Sequence, residues 1–362
     1  MKILIVGDWH SELHEEVVCR AFTQLGHETF RFPWHRYFAP RPGWGGRLWH
    51  LVQRAQNKYL FGPLIKRLNR DFVETVRCVA PELVFVYRGT HITASTLRAA
   101  RSVARDAIFV GYNNDDPFAP TQRRSLWRHF LGAVQEYDLV LAYRMANLDE
   151  YRRAGAQRVE LLRSWFVPER NHPVVLTPDE GARFETDVVF IGHYEDDQRL
   201  DYLEEIVRQG FRLRLFGPGY DWDPVIARSA MLSSQIPVQL VWGEDYNRAL
   251  CGARIALCFF SKLNRDTYTR RCFEIPATRT LLLSEHSHDL AGLFREGAEV
   301  DYFRTKEEMI AKVRIYLENT AQRQAVADAG YRRVYSAGHD VVSRMRQVLT
   351  WCAQIQDEHK QR

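Results

Sequence analysis

The chain has 362 residues, of which 46% are hydrophobic, 26% charged and 12% aromatic, proportions that exclude a disordered or fibrous chain. Its length favours two domains, because a single core stops growing near about 250–300 residues, and no run approaches the ~20 apolar residues that cross a bilayer. The opening MKILIV turns polar at Gly7-Asp8, too early for a signal peptide, and six scattered cysteines form no CxxC pair; a cytoplasmic chain without a disulfide framework or zinc site is expected.

Lys2–Val6 reads as an apolar strand ending at Gly7, and Leu13, Val17, Val18 and Leu25 as a helix stopped by Gly26. His27–Phe32 is a second strand. The segment from Thr29 to Arg70 then carries nine Lys or Arg and no Asp or Glu, whereas the rest of the chain holds 41 basic against 45 acidic residues. The net charge of +5 therefore comes from one segment, and eight aromatic residues from Phe32 to Phe61 fall among its cations. That mixture suits an anionic membrane face, with Trp34, Trp44 and Trp49 at headgroup level. Nucleic acid is a less favoured partner of the same chemistry. A solvated amphipathic helix from about 47 to 78 is the plain alternative.

Strand patterns follow at 83–87, 107–112, 139–142 and 159–162, with helical stretches between them, which implies a parallel sheet covered on both faces. Residues 166–186, with Pro168, Pro173 and Pro178, read as a linker. The rhythm restarts at 187–192, 212–216, 238–241, 254–259, 280–284 and 299–302, and the end is helical from 306 to about 357. Domains are expected at 1–165 and 187–338, with a crossover helix at 339–362 packing back on the first. Two Rossmann-like halves of this kind leave a cleft at their strand C-termini, where ligands bind.

Trp9 and His10 stand just past the first strand, placed to touch an acceptor or a donor sugar. Arg88–His91 and Asn113–Asp116 also follow strands. A carboxylate of Asp115 or Asp116 there is either a general base or an acceptor-orienting group, with Asn114 beside them and His91 a further catalytic candidate. Asp-Asp-Pro is also a good turn and helix-start sequence. Gly217 and Gly219, in Phe216-Gly-Pro-Gly-Tyr220, permit close approach of a phosphate, although a plain turn has the same form. No Walker A or GxSxG sequence is present, and the His10/His14 and His286/His288 pairs lack a third metal ligand.

The stretch from Gly243 to Ala337 resembles the C-terminal domain of the CgeB/YkvP-like glycosyltransferases, a GT-B group related to the retaining glycosyltransferases of family 4. The matching pieces are R-x-F-E-I-x-A at Arg271–Ala277, D-L-x-x-L-F at Asp289–Phe294, G-x-E-V-x-Y-F at Gly297–Phe303 and the A-G…H…R ending. Asn114-Asp-Asp-Pro117 is similar to a segment of the same group. The resemblance implies a nucleoside-diphosphate sugar as donor and no cofactor or metal. It assigns Glu274 to the ribose hydroxyls and Asp266, eight residues earlier, to the donor sugar, where the family usually has Glu. Arg199, Arg271 and Lys262 would hold the diphosphate, and Trp242-Gly243 would lie at the nucleobase, with Trp242 either stacking on the base or filling the core.

The expected protein is thus an α/β chain of GT-B form, two Rossmann-like domains facing across a cleft. It would move a sugar to a hydroxyl of a glycan or lipid-linked acceptor in envelope or surface glycan synthesis, with retention favoured, in the cytoplasm or at the inner membrane face. A GT-B-type sugar-nucleotide epimerase, or a nucleic-acid or membrane-binding protein with a vestigial donor site, are the alternatives.

Overall fold

The computed structural model describes residues 1–40 and 44–361. Arg41 and the side chains of Trp44 and Arg47, all in the basic segment, lie outside the described residues. The chain divides into two units, Met1–Arg163 with Val341–Arg362, and Ser164–Asp340.

In the first unit, β1 (Lys2–Gly7), α1 (Glu15–Gln24), β2 (Glu28–Pro33), α2 (Trp44–Tyr59), α3 (Pro63–Val79) and β3 (Leu83–Tyr87) are followed by α4 (Ala94–Val103) and β4 (Ile108–Asn113). Then come α5 (Arg124–Gly132), β5 (Leu139–Ala142), α6 (Met145–Arg153) and β6 (Val159–Leu161). The six strands are all parallel, in the order β2-β1-β3-β4-β5-β6. Their apolar runs, such as Leu4, Val6, Val84, Val86 and Phe109, form the core with Phe72, Trp127 and Phe130 from the covering helices. The order reverses between β1 and β3, and the crevice beyond such a reversal is where open α/β sheets receive ligands.

The expected helix from 47 to 78 is two helices. Gly62 has φ of +117° and Pro63 stands at the first position of α3, so the chain turns where proline cannot continue a hydrogen-bond ladder. The aromatics of this segment also part company. Phe32 and Trp34 are buried, Trp34 stacking on His91 at 5.0 Å, so Trp34 is a core residue and not a headgroup anchor. Trp49, Tyr59 and Phe61 are exposed.

The second unit contains α7 (Pro178–Phe184), β7 (Thr186–Ile191), α8 (Arg199–Arg208), β8 (Leu213–Phe216), α9 (Gly219–Ile226), α10 (Gly243–Cys251) and β9 (Ala253–Cys258). It continues with α11 (Arg271–Ala277), β10 (Leu281–Glu285), α12 (His288–Ala291), β11 (Asp301–Phe303), α13 (Lys306–Glu318) and α14 (Thr320–Ser336). The parallel order is β11-β10-β9-β7-β8, with its reversal between β7 and β9. The stretch 166–186 lies inside this unit. Pro178 is the first residue of α7, and Thr177 and Glu180 form a reciprocal capping box, so the prolines here start a helix. The expected strand at 238–241 is a single bridge from Phe216 to Gln239. Pro237 has no N–H to donate, and the Val238 N–H goes to Asp223 Oδ1 at 2.9 Å. The last helix, α15 (Val341–Gln361), belongs to the first unit and packs against α1.

Candidate active site residues

In the second unit the strand ends at the β7/β9 reversal are crowded by design of the backbone. A Cβ on Gly217 would stand 2.2 Å from the Gly192 carbonyl oxygen, and one on Gly219 2.9 Å from the Val238 carbonyl oxygen. The Trp222 indole donates to the same Gly192 oxygen at 2.8 Å. Gly217 and Gly219 thus let neighbouring chain segments meet, which is the plain-turn reading of Gly-Pro-Gly.

Over Gly192 lies the Arg271 guanidinium. A Cβ at Gly192 would be 3.1 Å from one of its terminal nitrogens. Arg271 is half-buried, and among the described residues it has no hydrogen-bond or ion-pair partner. One turn along α11, Glu274 is buried at 5% exposure and accepts a 2.7 Å hydrogen bond from the Tyr246 hydroxyl. Burial and then the nearby Glu274 carboxylate push the Tyr246 phenol well above its ordinary value, so it stays a donor at neutral pH. Tyr246 was not legible as a site residue, because its sequence distance from Glu274 carries no periodic signal. Trp242 precedes α10 and is 61% exposed, so it does not fill the core; Gly243 after it has φ of +56°, where glycine alone is unstrained.

The other expected diphosphate cations are already engaged. Arg199 is 4% exposed and pairs with Asp197 through Nε and a terminal nitrogen, both at 2.8 Å. It also donates to the carbonyls of His193 at 2.7 Å and Phe260 at 3.4 Å, with Glu195 at 3.5 Å. Its fork organises the loop after β7, a role invisible in sequence. Burial opposes ionisation of Asp197, yet the Arg199 guanidinium outweighs it and holds the carboxyl below its usual range. Lys262 pairs with Glu285 at 2.9 Å. Asp266 is half-buried in the loop between β9 and α11, its N–H donating to the Ser261 carbonyl at 2.9 Å.

In the first unit, the β1 end is shaped by Glu15, a buried residue that the sequence did not single out. Its Oε1 accepts the Asp8 N–H at 2.9 Å, and a Cβ at Gly7 would collide with it at 2.2 Å. Burial lifts this carboxyl above its usual range against those backbone hydrogen bonds. The next residue, Trp9, has φ of +57°, a strained state for so bulky a side chain. The Arg31 guanidinium covers the Trp9 ring at 4.7 Å, and the Trp9 indole nitrogen is buried without a hydrogen-bond acceptor among the described residues. His10 is exposed. Beyond β3 and β4, Arg88 pairs with Asp115 at 2.7 Å, both partly open to solvent. The Asn114 carbonyl accepts from buried Arg144 at 3.0 Å.

Two expected catalytic groups are scaffold instead. Asp116 is fully buried, and its Oδ1 accepts the Phe118 N–H at 3.0 Å and the Asn147 amide at 2.9 Å. That is the turn reading of Asp-Asp-Pro: the chain turns through Pro117 and Phe118, and the next helix, α5, begins at Arg124. His91 is 7% exposed, packed on Trp34 and Phe38, with one ring nitrogen 3.0 Å from the Thr90 hydroxyl and the other 2.7 Å from Asn57 Oδ1. Burial, with His129 and Arg88 adding repulsion, pushes its pKa down to about 3, so the ring is neutral and sealed. Among the described residues no group of three or more His, Cys, Asp or Glu is placed to hold a metal ion.

Residues 199–350 match the family model described as glycosyl transferase-like. No curated protein matches the chain in sequence. Anabaena HepE in complex with UDP-glucose is similar in structure, with TM-score 0.67 and 13% identity over 98% of this chain and 100% of that one. Sucrose-phosphate synthase from Thermosynechococcus elongatus matches with TM-score 0.67 and 10% identity, over 98% and 99% of the two chains. An α,α-trehalose 6-phosphate synthase from Burkholderia multivorans matches with TM-score 0.63 and 11% identity, over 100% and 98%. At such identities the likeness establishes the fold, which is the two-domain GT-B form, and the stretch from α8 into α15 is glycosyltransferase-like.

Proposed function

We propose that the chain transfers a sugar from a nucleoside-diphosphate sugar to an acceptor hydroxyl, the second unit holding the donor and the first the acceptor. The observation that carries this reading is the Arg271 guanidinium, half-buried beside Gly192 with no ion-pair or hydrogen-bond partner among the described residues, one helical turn from the buried carboxylate of Glu274. A cation at a strand-switch point whose N–H donors are unspent supplies what a departing diphosphate needs, a fixed charge that gains most as the leaving group becomes more negative. Glu274 has two oxygens, and Tyr246 occupies a site on one, leaving room for the cis-diol of a ribose. Exposed Trp242 offers a face on which a base stacks.

HepE was solved with UDP and with UDP-glucose, so a uridine nucleotide is the first donor to try. Asp115, held by Arg88, orients the acceptor hydroxyl. The leaving charge is met by Arg271 without a divalent ion, so turnover persists with a chelator present. The resemblance to the CgeB/YkvP-like group favours retention at the anomeric carbon. A thermal-shift series with UDP, GDP, dTDP, ADP and their sugar conjugates tests the donor reading. Ligand at 100 times its Kd stabilises by about 2.7 kcal/mol, an easily read shift. No shift with any of them would sink it. UDP release that depends on an added acceptor separates transfer from epimerisation.

The acceptor side is proposed to work at an anionic membrane. No helix among the described residues is long and apolar enough to cross one. Leu51, Ala55 and Tyr59 repeat at four-residue spacing along the exposed face of α2, with Val52 and Trp49 beside them and Arg54, Lys58 and Lys66 around them. Such a face lies in the headgroup layer, and each cation contributes about 1 kcal/mol near an anionic leaflet. The expected result is flotation with anionic but not neutral vesicles, weakening as salt rises. Binding to neither, or displacement by DNA, would turn the surface over to another partner.

A further inference from the structure

A cavity of about 540 Å³ opens in the first unit between β2, the turn after it, α2 and α3. Its volume lies in the range of small-molecule sites. Arg31, Arg36 and Arg67 line it with a single acid, Asp71. Arg36 has no ion-pair or hydrogen-bond partner among the described residues, and Arg67 stands 3.5 Å from Asp71. Arg31 pairs with Glu16 at 2.9 Å and covers Trp9, which ties this cavity to the β1 end. The wall is built as well as charged. Gln53 is 2% exposed and donates its amide nitrogen to the carbonyls of Tyr37 at 3.1 Å and Ala39 at 3.3 Å, which fixes its orientation. The Gln53 Oε1 left over is buried and accepts no hydrogen bond among the described residues. A small shift of the wall would let a ligand hydroxyl supply the donor this oxygen lacks. The Tyr37 hydroxyl donates to Asp71 Oδ2 at 3.0 Å, and burial together with Asp71 pushes the phenol up to about 12. Asp71 is therefore held in place as a second hydroxyl acceptor.

We infer that this cavity binds a polyhydroxylated phosphate: the arginines take the phosphoryl oxygens, and Gln53 and Asp71 accept from the hydroxyls. The inference rests on the acceptor reading above and deepens it, since the ligand is then the phosphorylated head of the acceptor. The same chemistry arises in a free sugar phosphate or in a phosphoinositol lipid headgroup, and two arms separate them. In one, the full-length protein is titrated calorimetrically with glucose 6-phosphate, glucose and inorganic phosphate. In the other, it is floated with phosphatidylcholine vesicles carrying equal fractions of phosphatidylinositol or phosphatidylserine, which match in charge and differ in hydroxyls.

The expected result is one saturable site for glucose 6-phosphate, tighter than for phosphate or glucose, or flotation with phosphatidylinositol that persists at a salt concentration where flotation with phosphatidylserine is lost. Arg36→Gln and Arg67→Gln should each weaken it about tenfold to a hundredfold, the worth of a charged hydrogen bond. Arg36 is exposed and holds no other group among the described residues, so its variant keeps the fold. Absence of binding in both arms overturns the inference, as does binding indifferent to both substitutions. UDP affinity measured on the same samples reports the donor reading separately, so either can fail while the other stands.

Discussion

Arg271 in the second unit and Arg88 in the first both stand near the point where a parallel sheet reverses its strand order, and their surroundings differ in one respect. Arg88 is paired with Asp115 at 2.7 Å, whereas Arg271 forms no ion pair among the described residues. A paired guanidinium positions a carboxylate. An unpaired one, half-buried, waits for an anion from outside. Arg199 makes the same point within one unit, since it was expected beside Arg271 on the diphosphate and spends its donors on its own loop. Position at a strand end therefore does not decide a role; the balance of partners does.

The strongest way to break this contrast is Arg271→Ala. Loss of one preorganised charge at a leaving group costs about 100- to 1,000-fold in turnover, with the melting temperature nearly unchanged. Wild-type turnover in that variant would return Arg271 to the surface.

The scaffold role of the first unit predicts an acid-linked instability. The pKa of His91 is about 3 in the fold against 6.5 in the unfolded chain, so the folded state binds fewer protons between those values. Its contribution is complete above pH 6.5 and is lost as pH falls toward 3, by a few kcal/mol in all. Denaturant midpoints at pH 8 and pH 5 should diverge in the wild type and draw together in His91→Gln. An equal divergence in both would show that the ring is not sealed.

Glu274→Gln sharpens the donor half. An amide accepts through only one atom, so UDP affinity should fall about tenfold to a hundredfold by calorimetry, while the fold remains intact. Tyr246→Phe is the smallest change. It removes only the internal donor to Glu274 and no group proposed to touch the nucleotide, so it should alter UDP affinity by less than Glu274→Gln does, no more than about tenfold. A larger loss than in Glu274→Gln would make Tyr246 itself the ligand-binding group.

Much of the strand pattern was legible, because buried parallel strands are written as short apolar runs bounded by turns. The errors have local causes. Pro63 and Pro178 were read as parts of a continuous helix and of a linker, and both are first residues of helices, where a missing N–H costs nothing. Of the site, Glu274 and Arg271 stood out through a resemblance carried by one string of residues. Tyr246, Glu15 and Gln53 carried no such mark, because each matters through a partner distant in sequence or through a wall it completes.

Composition and periodicity by themselves determined an α/β chain with two parallel sheets and one acid-free basic segment, since alternation of apolar runs and charge counts depend only on the order of residues. Burial belonged to the tertiary structure alone. It removed Asp116 and His91 from chemistry, tied Arg199 to its loop, sent Trp34 to the core while exposing Trp242, and left Arg271 without an ion pair among the described residues. A charge acts on a ligand only through the donors its own fold leaves unspent, and that remainder is settled by which distant segments arrive beside it.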